Sequence, residues 1–216
     1  MSATGCQIVN DPFCEHLALF KPLQLAAARR VGLAIPETCV TNDVRIATDF
    51  IRRLNNQGRR CVCKPLTAPR REMAETRVIR LEELNPEALA IAPVIFQECI
   101  EKGTDIRISI FGDECFAAKV ITRHAELVDW RLDPLVSYHR YKTSDDLRNH
   151  LLLLLREMKL DMGSIDLRLD QEGQPVFFEI NPSGQFLFLE LEADLPVSNS
   201  VAKLLIRKHL VQRPRS

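Results

Sequence analysis

The sequence lacks the features that mark disulfide-rich, zinc-binding and membrane-spanning proteins. Its seven cysteines are odd in number, and no CxxC pair or Cys/His pair has the spacing of a zinc site. Because unpaired thiols are typical of reducing compartments, we expect a cytoplasmic protein. The N-terminus has no basic segment before a long apolar run, as a signal peptide has, and the leucine run at residues 151–155 is too short to span a bilayer.

An excess of charge of either sign is also absent. Lys and Arg together number 29, and so do Asp and Glu, so the formal net charge at pH 7 is zero. This balance gives no global reason to expect nucleic acid or an anionic membrane as a partner. The five histidines are scattered, and we find no Ser/His/Asp or Cys/His arrangement suited to nucleophilic catalysis.

What remains is an ordinary composition and a mixed order of elements. The 216 residues are 46% hydrophobic and 27% charged, which suits one domain or two small ones with a buried core. Periodicity and end signals predict four helices, at residues 21–32, 42–57, 144–159 and 197–210. Alternation and turn residues predict two strands and two hairpins, at residues 60–66, 93–100, 105–122 and 164–181. This order predicts an α+β fold.

Two regions show no clear element, and one helix start is ambiguous. Residues 1–16 have no evident period, and residues 125–142 are expected to loop over the surface. The second helix is expected to take Thr41 or Asn42 as its N-terminal cap.

One stretch of the second hairpin, FFEINPSGQF at residues 177–186, places polar residues in an apolar strand. Glu179 and Asn181 share one face of this strand. Asp166 lies on the preceding strand, and the turn between the two strands brings it within about one register step of Glu179. Three hard oxygen donors then converge, and such donors suit Mg²⁺.

A simpler interpretation of the same residues stays open. Alternating polar residues on a hairpin usually face water, and Arg168 can pair with Asp166 or with Asp170. Against this, Glu179 lies in the most apolar strand of the chain, where a lone carboxylate would be costly unless it is paired or bound to a metal.

The same stretch carries a family resemblance. DLRLDQEGQPVFFEINPSGQFLFLE resembles the C-terminal signature of ATP-grasp ligases, and it is most similar to that of the microviridin-type or graspetide ligases, which modify ribosomally made peptides and carry an EINPNGQW pattern. Three upstream stretches are similar to the family's entry to the central lobe, its lysine strand, and its hinge with the following hairpin: KPLQLAAARRVGLAIPETCVTN, CVCKPL and PVIFQECIEKGTDIRISIFGDECFAAKVITRHAELVDWR. The resemblance extends over residues 10–210.

The resemblance implies a fold of two α+β lobes whose antiparallel sheets grip a nucleotide. It divides the chain into a remnant or linker of a missing N-terminal domain, a central lobe and a C-terminal lobe with the metal site, at residues 1–18, 19–97 and 98–216. It also implies a peptide or protein carboxylate as the partner, and it allows a homodimer.

The sequence departs from the family pattern in one loop. Residues 66–76 contain no glycine, although many relatives close a Gly-rich loop over the phosphates. Arg70 and Arg71 are the cations available there instead.

Roles for individual residues follow from the resemblance. Three residues are expected to bind two Mg²⁺ ions, for which Mn²⁺ can substitute: Asp166, Glu179 and Asn181. Others are expected to contact ATP, at its phosphates, along the adenine through the hinge backbone, and at the ribose: Lys64, Gln97, Glu98, Cys99, Ile100, Asp105 and Phe178. Four basic residues are expected to contact phosphate or the substrate carboxylate: Arg107, Lys119, Arg123 and Arg131.

The expected function is therefore that of an ATP- and Mg²⁺-dependent ligase. A carboxylate would be phosphorylated to an acylphosphate, and an amine or hydroxyl would attack it to form a side-chain amide or ester in a peptide. Two alternatives stay open. One is a glutamate-ligase-like enzyme with another acceptor, and the other is a non-catalytic protein that binds nucleotide.

Overall fold

The computed structural model describes residues 8–66, 76–101, 103–123 and 128–211. The helices of these residues are α1 Pro12–Ala18, α2 Lys21–Arg30, α3 Val44–Asn56, α4 Pro86–Ile91, α5 Asp145–Glu157, α6 Leu187–Ala193 and α7 Val197–Val211. The strands are β1 Thr38–Thr41, β2 Cys61–Pro65, β3 Arg77–Ile79, β4 Val94–Glu98, β5 Thr104–Phe111, β6 Glu114–Ile121, β7 Ser137–Tyr141, β8 Met162–Leu169 and β9 Pro175–Asn181. All ladder pairs are antiparallel, so the predicted α+β fold with antiparallel sheets is confirmed.

The first sheet has the strand order β1-β4-β2-β3 and is covered on one face by helix α3. Phe50, Ile51 and Leu54 form the buried stripe of this helix, and they pack against Cys63 and Phe96 of the sheet. The cap of α3 is Asp43, whose side chain accepts a hydrogen bond from the Arg45 amide at 2.8 Å, rather than the predicted Thr41 or Asn42. The other face of the sheet is left to line a cleft.

The second sheet has the strand order β7-β6-β5-β8-β9 and carries the larger core. Alternate residues of β5 are fully buried under helix α5, because Ile106, Ile108 and Ile110 all point to one face. The turn between β5 and β6 contains Gly112 at φ 61°, a backbone conformation that glycine adopts without strain. Both predicted hairpins, and the helix predicted at residues 144–159, are present.

Helix α2 packs against the second sheet, although it precedes the first sheet in the chain. Leu25, Ala27 and Ala28 of α2 lie in the core beneath the second sheet. The segment after α2 continues this attachment, since Ala34 bridges Val176 of β9 in parallel. The small apolar face of α2 fits the surface of the C-terminal sheet, and sequence order alone does not reveal this. The division of the chain at residues 18 and 97 stays a prediction.

Several short elements escape the sequence patterns. Helices α1 and α6 have seven residues each, too few for a clear period. Strand β7 and a short 3₁₀ helix at Trp130–Leu132 lie where we expected only a surface loop. Arg70 and Arg71, the expected cations of the glycine-free loop, lie outside the described residues. Within the described chain, no helix is long and apolar enough to cross a bilayer.

Candidate active site

A cleft lies between the two sheets and is lined by residues from both. The cleft contains about 620 Å³ of space, a volume that includes open solvent at its mouth. Lys64 and Gln97 line it from the first sheet, and Asp166 and Glu179 line it from the second. The residues that connect the sheets, Cys99 and Ile100 among them, close one end. We call this the hinge end, and we call the opposite end, at Asp166 and Glu179, the carboxylate end.

Two carboxylates face each other at the carboxylate end. Asp166 of β8 is the direct register partner of Glu179 of β9, as the hairpin predicted. The register shifts after this pair, so Leu167 lies opposite Phe177 and Phe178 has no partner across the ladder. This β-bulge lets two successive residues, Phe178 and Glu179, both line the cleft, which strict alternation would forbid.

Each carboxylate is matched by a cation from a different element. Arg107 of β5 donates from Nη1 to Asp166 at 2.9 Å, and Lys21 at the start of α2 donates from Nζ to Glu179. Arg131 is also near, with its Nη1 3.9 Å from a Glu179 oxygen. The two acids are mostly buried, with side-chain exposures of 14% for Asp166 and 21% for Glu179. Their charges are therefore held in place by protein groups rather than by bulk water.

These contacts shift the pKa values of the two acids in opposite directions. Burial raises the pKa of Asp166, and Arg107 offsets this only in part because Glu179 adds a second negative charge. Burial also opposes ionisation of Glu179, but the positive charges of Lys21, Lys64 and Arg131 outweigh it and hold its pKa below the usual range. The pair thus keeps at least one carboxylate ionised at neutral pH.

Lys64 is a buried cation facing this pair. Burial, together with the positive charges of Lys21 and Arg131, lowers the pKa of Lys64 to about 8. No carboxylate lies within ion-pair distance of Lys64 in the part of the chain that the structure describes. Its neighbour Arg131 is held by Asp129, which accepts from Nε at 2.7 Å and from Nη2 at 2.6 Å. An anion entering the cleft would meet a positive charge that no carboxylate of the described residues pairs with.

The turn after β9 holds the Arg107 side chain in place through a hydrogen bond. The Gln185 carbonyl accepts a hydrogen bond from Arg107 Nη2 at 3.2 Å. A side chain at Gly184 would place its Cβ only 2.8 Å from the Ser164 Cβ and 3.0 Å from Arg107 Nη2. Only glycine permits so close an approach, and this explains its place in the NPSGQF stretch.

At the hinge end, one arginine ties together three groups. Arg168 donates from Nε to Asp105 at 2.9 Å and from Nη2 to its other oxygen at 2.5 Å. Its Nη1 donates to the Ile100 carbonyl at 2.7 Å, and its guanidinium lies 5.9 Å from the Phe178 ring centroid. Asp105 thus lines the cleft, and each of its two oxygens accepts a hydrogen bond from Arg168.

The predicted hinge residues lie together along this end. The Glu98 amide donates to the Glu37 carbonyl at 2.8 Å, and the Cys99 amide donates to the Arg60 carbonyl at 2.9 Å. Gln97 is buried and donates from Nε2 to the Thr38 hydroxyl at 2.8 Å. These bonds fix the path of the connecting chain beside the cleft.

Three predicted site residues are not brought into this group. Lys119 pairs with Ile106 across the β5–β6 ladder, so it lies on the sheet face opposite Arg107, with its Nζ 5.6 Å from the Tyr141 ring centroid. Arg123 is exposed beyond the end of β6. Asn181 is exposed too, and its Oδ1 accepts from the Ser183 amide at 3.2 Å.

Two contacts of the site have no signal in the sequence: the one made by Lys21 and the one between Arg168 and Asp105. Lys21 reaches a carboxylate 158 residues away, and no local pattern signals that contact. Arg168 was considered only as a partner of Asp166 or Asp170, within its own hairpin, whereas β5 lies beside β8 and supplies Asp105. Among the described residues there is no cluster of three or more His, Cys, Asp or Glu that could hold a metal. Two carboxylates remain, which fits Mg²⁺, since this ion usually takes one or two carboxylates together with phosphate oxygens and water.

Two antiparallel sheets that enclose a charged cleft form the ATP-grasp fold, and this chain has that fold. Solved structures bear out the resemblance seen in the sequence. The macrocyclase MdnC bound with precursor peptide MdnA, from Microcystis aeruginosa MRC, is 30% identical with a TM-score of 0.79, and the match covers 92% of this chain and 64% of that chain. A RiPP-associated ATP-grasp ligase from Chryseobacterium gregarium, in complex with ADP and a leader and core peptide, is 28% identical with a TM-score of 0.80, covering 96% and 64%.

A third solved ATP-grasp ligase is also similar to this chain, whereas comparisons of sequence alone find no match. The ATP-grasp ligase PsnB complexed with minimal precursor is 25% identical with a TM-score of 0.80, covering 95% of this chain and 65% of that one. No protein-family model matches the sequence, and no curated protein matches it either. The chain thus resembles peptide-modifying ATP-grasp ligases and spans about 64% of the length of the first two.

Proposed function

We propose that the chain binds Mg-ATP in the cleft and takes part in ligation of a carboxylate to an amine or hydroxyl of a peptide. The observation that carries this proposal is the buried pair Asp166 and Glu179, directly opposed in register and facing Lys64 across the cleft. Paired acids, beside a buried lysine that has no carboxylate partner among the described residues, make a site for a divalent ion with a polyanion. The similar structures, which include complexes with ADP and with precursor peptides, support the same assignment.

The metal and the cations have separate roles in this proposal. Asp166 and Glu179 would hold Mg²⁺, with Asn181 as a further ligand if its side chain turns towards them. When bound, the metal neutralises phosphate charge and so lowers the barrier to attack by a second anion. Lys64 meets the phosphates from the first sheet. Arg131 adds positive charge from the 3₁₀ helix between β6 and β7.

Arg107 is placed to support the carboxylate that becomes phosphorylated. It is buried and hydrogen-bonded to Asp166, and its Nε has no hydrogen-bond partner among the described residues. A guanidinium group suits a carboxylate or acylphosphate oxygen. The adenine is assigned to the hinge end, along Gln97, Cys99 and the backbone of Glu98 and Ile100.

Phe178, which the β-bulge turns into the cleft, completes the wall for the base. Asp105 supports the ribose only in company with Arg168, which already binds both of its oxygens. The product is assigned as a side-chain amide or ester, since either acceptor attacks the same acylphosphate carbon.

Calorimetric titration with Mg-ATP tests the nucleotide site directly. We expect binding by the wild-type chain and none by Asp166→Asn, because the variant loses a carboxylate of the metal pair. Asp113→Asn, an exposed residue in the β5–β6 turn, is the matched control and should bind as the wild type does. Equal binding by Asp166→Asn and the wild type would contradict the metal assignment. Binding that never leads to ADP with any carboxylate would favour a non-catalytic nucleotide-binding protein.

A further inference from the structure

Lys21, which is not among the predicted site residues, forms an ion pair with Glu179 of the site. Lys21 donates from Nζ to Glu179, and the two side chains are only 20% and 21% exposed. Helix α2 is fixed beneath this contact by Gln24, whose Oε1 accepts from the Ile180 amide at 3.0 Å and whose Nε2 donates to the Ile180 carbonyl at 2.9 Å. The residue next to Glu179 is thus bonded to the same helix that delivers Lys21.

The two acids differ in how firmly their cations are held. Arg107 is tied both to Asp166 and to the Gln185 carbonyl, and it lies on the neighbouring strand. Lys21 has a single flexible side chain with one carboxylate partner among the described residues, so it can leave Glu179 without disturbing the sheet. Of the two ion pairs, the one at Glu179 is the exchangeable one.

We propose that Lys21 is a positioning residue that holds Glu179 while no metal is bound, and that it makes divalent-ion binding depend on the nucleotide. The inference rests on the proposed Mg-nucleotide site. A divalent ion that entered alone would displace Lys21 from Glu179. It would leave a mostly buried ammonium beside the ion, with the positive charges of Lys64 and Arg131 also near.

A nucleotide removes this obstacle. Its phosphates supply negative charge both for the incoming ion and for the displaced Lys21, so the ion and the nucleotide bind with positive cooperativity. By linkage, the factor by which nucleotide strengthens ion binding equals the factor by which the ion strengthens nucleotide binding. In a chain without the Lys21 charge, the ion would no longer need the nucleotide to the same degree.

Electron paramagnetic resonance of free Mn²⁺ tests this inference without any measurement of turnover. Mn²⁺ affinity is measured with and without ADP for the wild type, Lys21→Met, Lys21→Gln and Lys21→Arg. We expect Lys21→Met and Lys21→Gln to bind Mn²⁺ alone about tenfold more tightly than the wild type, because no buried ammonium is left unpaired. Lys21→Arg keeps the charge and should resemble the wild type. The matched control is Lys203→Met on helix α7, which removes an ion pair between Lys203 and Glu114 of β6.

Two results would overturn the inference, and they differ. If the uncharged variants bind Mn²⁺ alone no more tightly than the wild type while all chains still bind Mn²⁺ with ADP, Lys21 has no such role and the nucleotide site stands. If the wild-type chain binds Mn²⁺ neither alone nor with ADP, the proposed function itself is wrong. Circular dichroism of each variant shows that the comparison is made between folded chains.

Discussion

The two ends of the cleft hold their charges in different ways. At the hinge end, Arg168 and Asp105 form a bidentate ion pair, and their side chains are only 11% and 12% exposed. At the carboxylate end, Asp166 and Glu179 take cations from two separate elements, and Lys64 faces them without a carboxylate partner of its own among the described residues. The Arg168–Asp105 ion pair stabilises the fold. Lys64, which has no carboxylate partner among the described residues, is suited to bind an anion.

The direction of the pKa shifts supports the same distinction. Burial raises the pKa of Asp166 and lowers the pKa of Lys64, so both charges are costly where they lie. A bound metal and nucleotide would relieve both costs. We therefore expect loss of the Arg168–Asp105 pair to affect chiefly stability, and substitutions at the carboxylate end to affect chiefly binding.

The largest effect is expected at Glu179. Glu179→Gln should weaken Mg-ATP binding about 1,000-fold, equivalent to about 4 kcal/mol, because it removes a charged ligand of the proposed metal site. The measurement is displacement of a fluorescent ADP analogue in the presence of Mg²⁺. Glu172→Gln, in the exposed β8–β9 turn, serves as the control and should bind normally. If Glu179→Gln bound Mg-ATP as tightly as the wild type, the proposed binding role of the carboxylate end would be contradicted.

Arg168→Met should have the next largest effect, and on stability instead. It leaves Asp105 mostly buried without its partner, so we expect the free energy of unfolding to fall by about 3 kcal/mol. Urea denaturation gives this value. Arg30→Met, which breaks an exposed pair with Glu157, should cost less than about 1 kcal/mol. A similar loss in both variants would show that the Arg168 pair is no stronger than a surface contact.

Lys64→Met should separate stability from binding. Because the folded chain lowers the Lys64 pKa to about 8, the charged lysine destabilises the fold at pH 7, and its removal should raise the free energy of unfolding by about 2 kcal/mol. The same variant should bind Mg-ADP about tenfold more weakly, because one phosphate contact is lost. Lys119→Met, on the opposite sheet face, should leave binding unchanged. A less stable Lys64→Met chain would contradict the account of this residue.

The smallest effect is a dependence of nucleotide affinity on pH. As the pH rises from 7 to 9, Lys64 loses its proton in the free chain, whereas nearby phosphates would keep it protonated in the complex. The affinity for Mg-ADP should therefore fall by about tenfold across this interval, since binding must then take up a proton. Isothermal calorimetry in buffers of different ionisation enthalpy detects that uptake. Lys64→Arg, which stays charged throughout, should give a flat profile, and an equally steep profile would assign the effect elsewhere.

The sequence predicted the parts of the site that depend on local register. Asp166 and Glu179 lie on one hairpin, so alternation and a short turn were enough to place them together. The same reasoning could have excluded Lys119. A two-residue turn at Gly112 sets Phe111 opposite Glu114, and counting back along the ladder puts Lys119 opposite the core residue Ile106.

The contacts that the sequence could not predict depend on which elements become neighbours. Arg168 meets Asp105 only because β5 lies between β6 and β8. Lys21 meets Glu179 only because α2 packs against the C-terminal sheet, although it precedes the first sheet in the chain. The β-bulge that turns Phe178 into the cleft also has no signal in the strand's own alternation.

The central claim is that the carboxylate end is a site for a divalent ion and a nucleotide together. The most direct test is calorimetric titration of ATP into the wild-type chain with and without Mg²⁺. The account predicts measurable binding with Mg²⁺ and at least about 100-fold weaker binding when the ion is chelated, because nothing then bridges the two acids to the phosphates. Equal affinity in both conditions, or no binding in either, would contradict it.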